Sequence, residues 1–160
     1  MPSAPATTAT VERASRARRA VWAARLAFLA VFVVNVQCAV QFVLWPEAYA
    51  GGFELAGVPG DAAVQGLGIA FLMWNATYPA VIASPLRFRA LGVVVLVQQA
   101  IGLVGESWIR LGLPAGHEAL AAGIDRFIAF DAAGLALMGA AFGWLALTSR
   151  RTALQDKRSI

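Results

Sequence analysis

This sequence has few of the residues from which redox centres, metal sites and disulfides are built. It contains one cysteine, Cys38, and one histidine, His117, and only 14% of its 160 residues are charged. A single cysteine cannot form an intramolecular disulfide or a thiolate cluster, and a lone histidine cannot hold a haem between two axial histidines. We therefore predict no catalytic residues, no metal site and no haem, and no cofactor is evident from the residues.

Apolar residues are abundant instead, at 59% of the chain. They gather in four stretches of about 20 residues, the length that a helix needs to cross a bilayer. The stretches are residues 26–45, 64–83, 90–108 and 124–147. We predict an all-α fold, a transmembrane four-helix bundle with short loops, within a membrane domain of residues 21–149.

The segments outside the apolar stretches are short. Residues 1–20 are rich in Ala, Thr, Ser and Pro and predict a disordered cytoplasmic leader, and residues 150–160 predict a basic tail of the same kind. Between the first two helices, Gly51-Gly52 and Pro59-Gly60 predict an interfacial loop. Asp61, which follows that loop, is the expected N-cap of the second helix.

Basic residues lie almost entirely on one side of the predicted membrane, with 11 of the 13 Lys and Arg residues on that side and only Arg110 and Arg126 on the other. The eleven are Arg13, Arg16, Arg18, Arg19, Arg25, Arg87, Arg89, Arg150, Arg151, Lys157 and Arg158. This positive-inside bias places both termini in the cytoplasm of a bacterial-type plasma membrane. Because topology explains the basic excess, we predict no nucleic-acid partner.

Polar side chains from all four apolar stretches fall at similar depths in the outer half of the bundle. They are Gln37, Gln41, Gln65, Gln99, Glu106, Arg126 and Asp131. A charged group in hydrocarbon costs about 2.5–3.5 kcal/mol, so these groups should face inward. Arg126 and Asp131 are five residues apart and share a helix face poorly, which favours Glu106 as the partner of Arg126.

Two interpretations of this polar group are open. In the first, interhelical hydrogen bonds clamp the helices in register. In the second, the group forms a pocket for a small or amphiphilic ligand, or part of a proton path.

The second apolar stretch contains a proline within its helix. Pro79 has no N–H, so the carbonyl of Asn75 loses its helical partner and the helix should kink there. This kink could shape a cavity, although proline is common in membrane helices.

Small residues recur in the last apolar stretch. Gly139 and Gly143 form a small-xxx-small pattern, which lets helices approach closely in lipid. The pattern favours packing within the bundle, with a homodimer face as the alternative.

Three features together resemble the DoxX-like group of small four-helix membrane proteins. They are Trp45-Pro46 at the end of the first helix, Gln65-Gly66-Leu67-Gly68 at the start of the second, and two further helices. The likeness covers about residues 20–147, and Leu72-Met73-Trp74-Asn75 also looks like bacterial membrane proteins of similar length. The resemblance implies a link to quinone-dependent oxidation, as in some members of that group, but the single cysteine does not fit thiol redox chemistry.

The leading hypothesis is a non-enzymatic accessory or small-ligand or lipid-binding membrane protein, with a polar pocket in the outer half of the bundle. A membrane subunit of a quinone-linked oxidoreductase is the alternative, with quinone as its cofactor. A small transporter is a weaker third, because no inverted repeat is visible. The expected partners are the lipid bilayer and a membrane protein or a second copy.

Overall fold

A computed structural model describes residues 8–156, and every regular element within that range is helical. The helices are α1 (Thr8–Leu44), α2 (Glu47–Ala50), α3 (Gly57–Asn75), α4 (Tyr78–Ala83), α5 (Arg89–Gly112) and α6 (Glu118–Asp156), with a 3-10 turn at Gly51–Phe53 after α2. Four helical segments are long and apolar enough to cross a membrane: Val11–Leu44, Gly57–Ala83, Arg89–Gly112 and Glu118–Ser149. The prediction of an all-α chain with four such segments is confirmed.

The first and last helices extend beyond the predicted spans. Because α1 begins at Thr8, the prediction of disorder is wrong for residues 8–20, while residues 1–7 lie outside the described range. Alanine and arginine are good helix formers and continue a helix that the apolar span already nucleates. Ala20 and Ala24 are fully buried and pack with Leu145. At the other end α6 continues to Asp156, so the predicted tail is helical as far as the described residues reach.

The segment between α1 and α3 folds back on itself. Glu54 has a φ of 56° and Gly57 a φ of 64°, so the chain reverses direction between α2 and α3. The helix α3 begins at Gly57 with Ala56 as its N-cap, and the prediction that Asp61 caps it is wrong. The N-cap lies before Asp61 because Gly57 adopts a positive φ at no steric cost, which lets the chain turn into the helix at this residue.

The second membrane segment is broken where the sequence places a proline. The helix α3 ends at Asn75, and α4 begins at Tyr78 with Pro79 in its first turn. Without an N–H, Pro79 cannot donate to the Asn75 carbonyl. The break leaves Asn75 at a helix end, with its side chain turned inward and only 3% exposed.

The helix α1 packs against α3, α4 and α6, while α5 packs against α4 and α6. The largest buried cluster includes Phe28, Tyr78, Val95 and Met138. We call the end that carries residues 45–56 and 113–117 the acidic end, and the end that carries residues 84–88 the basic end. At the basic end, Arg25 Nη2 donates to the Ala83 carbonyl at 2.6 Å and so caps α4.

Gly139 and Gly143 do not serve packing between these helices. A Cβ atom built at either position would meet no atom within 4 Å among the described residues. The expectation of packing within the bundle through these glycines is therefore wrong, because both lie where the neighbouring helices do not approach.

Candidate functional site

A cavity of about 530 Å³ lies in the half of the molecule toward the acidic end. Its wall is formed by α1, α3, α5, α6 and the segment 46–56. The amide and charged residues that line it are Asn35, Asn75, Gln99, Glu106, Arg126 and Asp131. Four of the seven polar residues singled out in the sequence therefore come together here.

Helical spacing explains how α5 contributes to the wall. Gln99, Gly102 and Glu106 follow one another at intervals of three and four residues, so they lie on one face of the helix. Each of the three lines the cavity. The face joins a buried amide, a position without a side chain and a carboxyl group.

A hydrogen-bonded chain crosses three helices at the floor of the cavity. Tyr78 Oη donates to Gln99 Oε1 at 3.3 Å, and Gln99 Nε2 donates to Asp131 Oδ1 at 2.7 Å. Gln99 is only 3% exposed and Tyr78 is fully buried. The side chain of Asn35 on α1 also lies beside the Tyr78 hydroxyl. The sequence predicted Gln99 and Asp131 at this depth but not Tyr78.

Two glycines provide the space for this chain. A Cβ atom at Gly102 would collide with Asp131 Oδ2, and one at Gly134 would lie 3.0 Å from Gln99 Nε2. The carboxyl group of Asp131 therefore rests against the backbone of α5, and the amide of Gln99 against that of α6.

Two buried oxygen atoms of the wall have no hydrogen-bond partner: Asn75 Oδ1 and Glu106 Oε2. The other end of the Asn75 amide is occupied, because Nδ2 donates to the Phe71 carbonyl at 2.8 Å. Since only the nitrogen can donate to that carbonyl, the oxygen is the atom left unpaired. Buried polar groups without partners are rare and indicate a missing water, ion or ligand.

Arg126 lines the cavity but pairs with neither carboxylate. Among residues 11–149 the ion pairs within 4 Å are Arg110 with Asp125 and His117 with Glu54. The predicted pair of Glu106 and Arg126 is therefore wrong. Arg126 is exposed.

The other three predicted glutamines lie outside the wall. Gln37 and Gln65 are exposed, and Gln65 Nε2 donates to the Val43 carbonyl at 3.2 Å. Gln41 is half-buried but does not line the cavity. These three glutamines lie on faces of α1 and α3 that do not form part of the cavity wall.

Aromatic rings form most of the remaining wall. Phe42 lies at their centre, with its ring centroid 4.9 Å from that of Tyr49, 6.1 Å from that of Phe71 and 6.4 Å from that of Phe127. Phe53 lies 5.8 Å from Phe42. Trp74 and Phe130 also line the cavity. Aromatic residues are common in apolar spans, so only their meeting in three dimensions distinguishes them.

The segment 46–56 is held over the cavity by Glu54. Its Oε2 accepts a hydrogen bond of 2.5 Å from His117 Nδ1, and its Oε1 accepts one of 3.3 Å from Leu120 N, in the first turn of α6. The hydrogen bond from His117 holds the pKa of the Glu54 carboxyl below its ordinary value of 4.5, despite some desolvation. Ala48, Tyr49, Gly52 and Phe53 of this segment line the cavity.

No three His, Cys, Asp or Glu side chains meet within the described part of the chain in the way that a metal ion requires. The cavity wall suits an organic ligand better than a metal ion, because its amide and carboxyl groups lie among aromatic rings.

The chain matches no protein-family model, no curated protein and no solved structure. Its resemblance to the DoxX-like group therefore stays a prediction, and the site must be interpreted from its own chemistry.

Proposed function

We propose that this chain is a multi-pass protein of a bacterial-type cytoplasmic membrane that binds a small amphiphilic ligand without chemical conversion. Its termini lie in the cytoplasm, and the acidic end faces outward. The observation that carries the proposal is a cavity of about 530 Å³ lined by Asn75 and Glu106, each of which has a buried side-chain oxygen without a partner. The volume lies within the range of about 300–1,000 Å³ typical of small-molecule sites.

The clamp interpretation explains only part of the polar group. Tyr78, Gln99 and Asp131 satisfy one another across three helices, as a clamp requires. Asn75 and Glu106 line the same cavity, and each has a buried oxygen without a partner, which stabilises nothing. A ligand that donates hydrogen bonds would remove this cost of about 1–3 kcal/mol per group.

A quinone-linked subunit is the less favoured function. The aromatic wall around Phe42 would suit a flat quinone ring. However, the carbonyl oxygens of an oxidised quinone only accept hydrogen bonds, and the unpaired atoms of Asn75 and Glu106 are acceptors as well. These two oxygens thus suit a ligand with hydrogen-bond donors better than they suit an oxidised quinone.

The proposal can be tested by filling the cavity. Cys38 lines it from α1, so Cys38→Phe adds a ring to the space that a ligand needs. Val40→Phe introduces the same ring two residues away on a side chain that is 38% exposed and outside the wall, which makes it the matched control.

Native mass spectrometry of the full chain in detergent should count bound N-phenyl-naphthylamine, a neutral amphiphile. We expect one saturable molecule on the parent chain and on Val40→Phe, and a loss of about tenfold or more in affinity on Cys38→Phe. Equal binding by all three chains, or binding that does not saturate, would contradict the proposal.

A further inference from the structure

The unpaired atoms of the cavity wall share one chemical property. Asn75 Oδ1 and Glu106 Oε2 come from α3 and α5, and both are acceptors. Asn75 is only 3% exposed. The hydrogen bond from its Nδ2 to the Phe71 carbonyl holds the amide nitrogen in place, so the amide cannot turn that nitrogen toward the cavity. A ligand group that pairs with these two oxygens therefore has to carry N–H or O–H donors.

The charges that face the cavity favour a cation. Two carboxyl groups, Glu106 and Asp131, line it together with one guanidinium, that of Arg126. Arg126 is exposed and pairs with neither of them within 4 Å. The other charged pair nearby, Arg110 with Asp125, is satisfied by its own contact of 2.8 Å. One carboxylate in the wall is thus left without a counter-charge.

The aromatic rings suit the same ligand. The face of an aromatic ring carries negative potential and attracts a cation, and its area packs against an apolar body. Phe42, Phe71 and Phe127 pack on one another, with centroids 6.1–6.4 Å apart, along the wall that the carboxylates share. Charged groups and apolar surface therefore line one cavity.

We propose that the cavity binds a hydrophobic amine in its protonated form. The N–H groups of a primary ammonium donate to the acceptors of the wall, Asn75 Oδ1 and Glu106 Oε2 among them, and its positive charge balances the excess carboxylate. The apolar body of the amine lies against the rings around Phe42. This inference rests on the proposed ligand-binding function and names the chemical class of the ligand.

A series of probes with one apolar body and different head groups tests the inference. Naphthylethylamine carries an ammonium with N–H donors, its trimethylated form is a permanent cation with no N–H, and naphthylethanol is neutral. Binding to the full chain in detergent is counted by native mass spectrometry at several concentrations. We expect the amine to bind at least about tenfold tighter than either analogue, since hydrogen bonds to charged groups are the strong ones.

Glu106→Gln removes one charge and keeps the size of the side chain, so it should abolish most of the advantage of the amine over naphthylethanol. Asp125→Asn is the matched control, because Asp125 is an exposed carboxylate outside the wall, and it should keep that advantage. If Glu106→Gln does not fold, the comparison of head groups on the parent chain decides alone.

Each contrary result has a distinct meaning. Equal affinity for naphthylethanol and the amine overturns the amine inference while the proposed binding of amphiphiles stands. Equal affinity for the trimethylated cation also overturns it, because N–H donors would then contribute nothing, and so does an undiminished preference in folded Glu106→Gln. Absence of saturable binding for every probe overturns the proposed function itself.

Discussion

Gln99 on α5 and Asp131 on α6 are joined by a hydrogen bond of 2.7 Å between Nε2 and Oδ1. The amide also accepts from the Tyr78 hydroxyl, so one side chain connects three helices. In an apolar surrounding such a bond orients both partners, and the second carboxyl oxygen of Asp131, Oδ2, lies against the backbone of α5 at Gly102.

Replacing this amide should destabilise the protein. Gln99→Leu leaves Tyr78 and Asp131 without their partner, and we expect a loss of about 1–3 kcal/mol in the free energy of unfolding. The matched control is Gln98→Leu, because Gln98 Oε1 is already buried without a partner, so its removal should cost little or stabilise. Unfolding of both variants in mixed micelles by increasing SDS measures the difference, and equal costs would contradict the role of Gln99.

The glycines of α5 should respond differently to one added methyl group. Gly102→Ala drives Cβ into Asp131 Oδ2, whereas Gly105 has nothing within 4 Å of its Cβ position. We expect Gly102→Ala to lose about 1–3 kcal/mol of stability and most ligand binding. Gly105→Ala should gain up to about 1 kcal/mol from helix propensity.

Both variants lie in one helix, so the propensity term is shared and the difference reports the contact with Asp131. The same SDS titration and a count of bound N-phenyl-naphthylamine check it. A Gly102→Ala protein as stable as Gly105→Ala would show that Asp131 moves away at no cost.

The contact between Glu54 and His117 predicts a pH dependence. Because the pKa of Glu54 is lowered from 4.5 in the folded protein, its contribution to stability is fully present above that value. It is lost as the pH falls through the lowered pKa. The melting temperature of the parent chain should exceed that of Glu54→Gln at neutral pH, and the two should converge once the pH falls below the lowered pKa of Glu54.

Glu47→Gln serves as the control for this series. Glu47 lies on α2 in the same segment and is exposed, and within the described part of the chain no ion pair includes it. Its variant should follow the parent chain at every pH. A gap between the parent and Glu54→Gln that does not depend on pH would argue that the charge of Glu54 contributes nothing.

The proposed orientation can be measured with the single native cysteine removed. In a Cys38→Ser background, a cysteine introduced at Gly116 should react with a membrane-impermeant maleimide applied from outside, and one introduced at Leu86 should not. Gly116 lies in the loop before α6 at the acidic end, and Leu86 lies in the turn at the basic end. The reverse pattern of labelling would contradict the positive-inside argument.

The four candidate membrane segments could be predicted because bilayer thickness imposes a length and an apolar composition that can be read directly from the sequence. The depth of Gln99, Glu106 and Asp131 followed from the same constraint, and all three line the cavity. Rotation about a helix axis did not follow from it. Gln37 and Gln65 lie at suitable depths on faces that point away, because neighbouring helices decide which face is covered.

For Arg126 and Asn75, the structure differs from the sequence-based prediction in the partners of the side chain. The sequence favoured an ion pair for Arg126, since charge in lipid is costly, but its side chain is exposed and the ion pairs within residues 11–149 do not include it. For Asn75 the sequence predicts a lost backbone hydrogen bond at Pro79 and a polar group beside a kink that could shape a cavity. The side-chain oxygen of Asn75 is unpaired because the amide nitrogen donates to the Phe71 carbonyl. No spacing in the sequence predicts that hydrogen bond.

Gly102 and Asp131 occupy adjoining volumes in which there is room for only one side chain. Natural variation at the two positions should therefore be correlated. A relative of this chain with a larger residue at position 102 should carry a shorter or absent carboxyl side chain at position 131, and one that keeps Asp131 should keep the glycine. Diverged sequences that keep both Gly102 and Asp131 would be those expected to retain this binding chemistry.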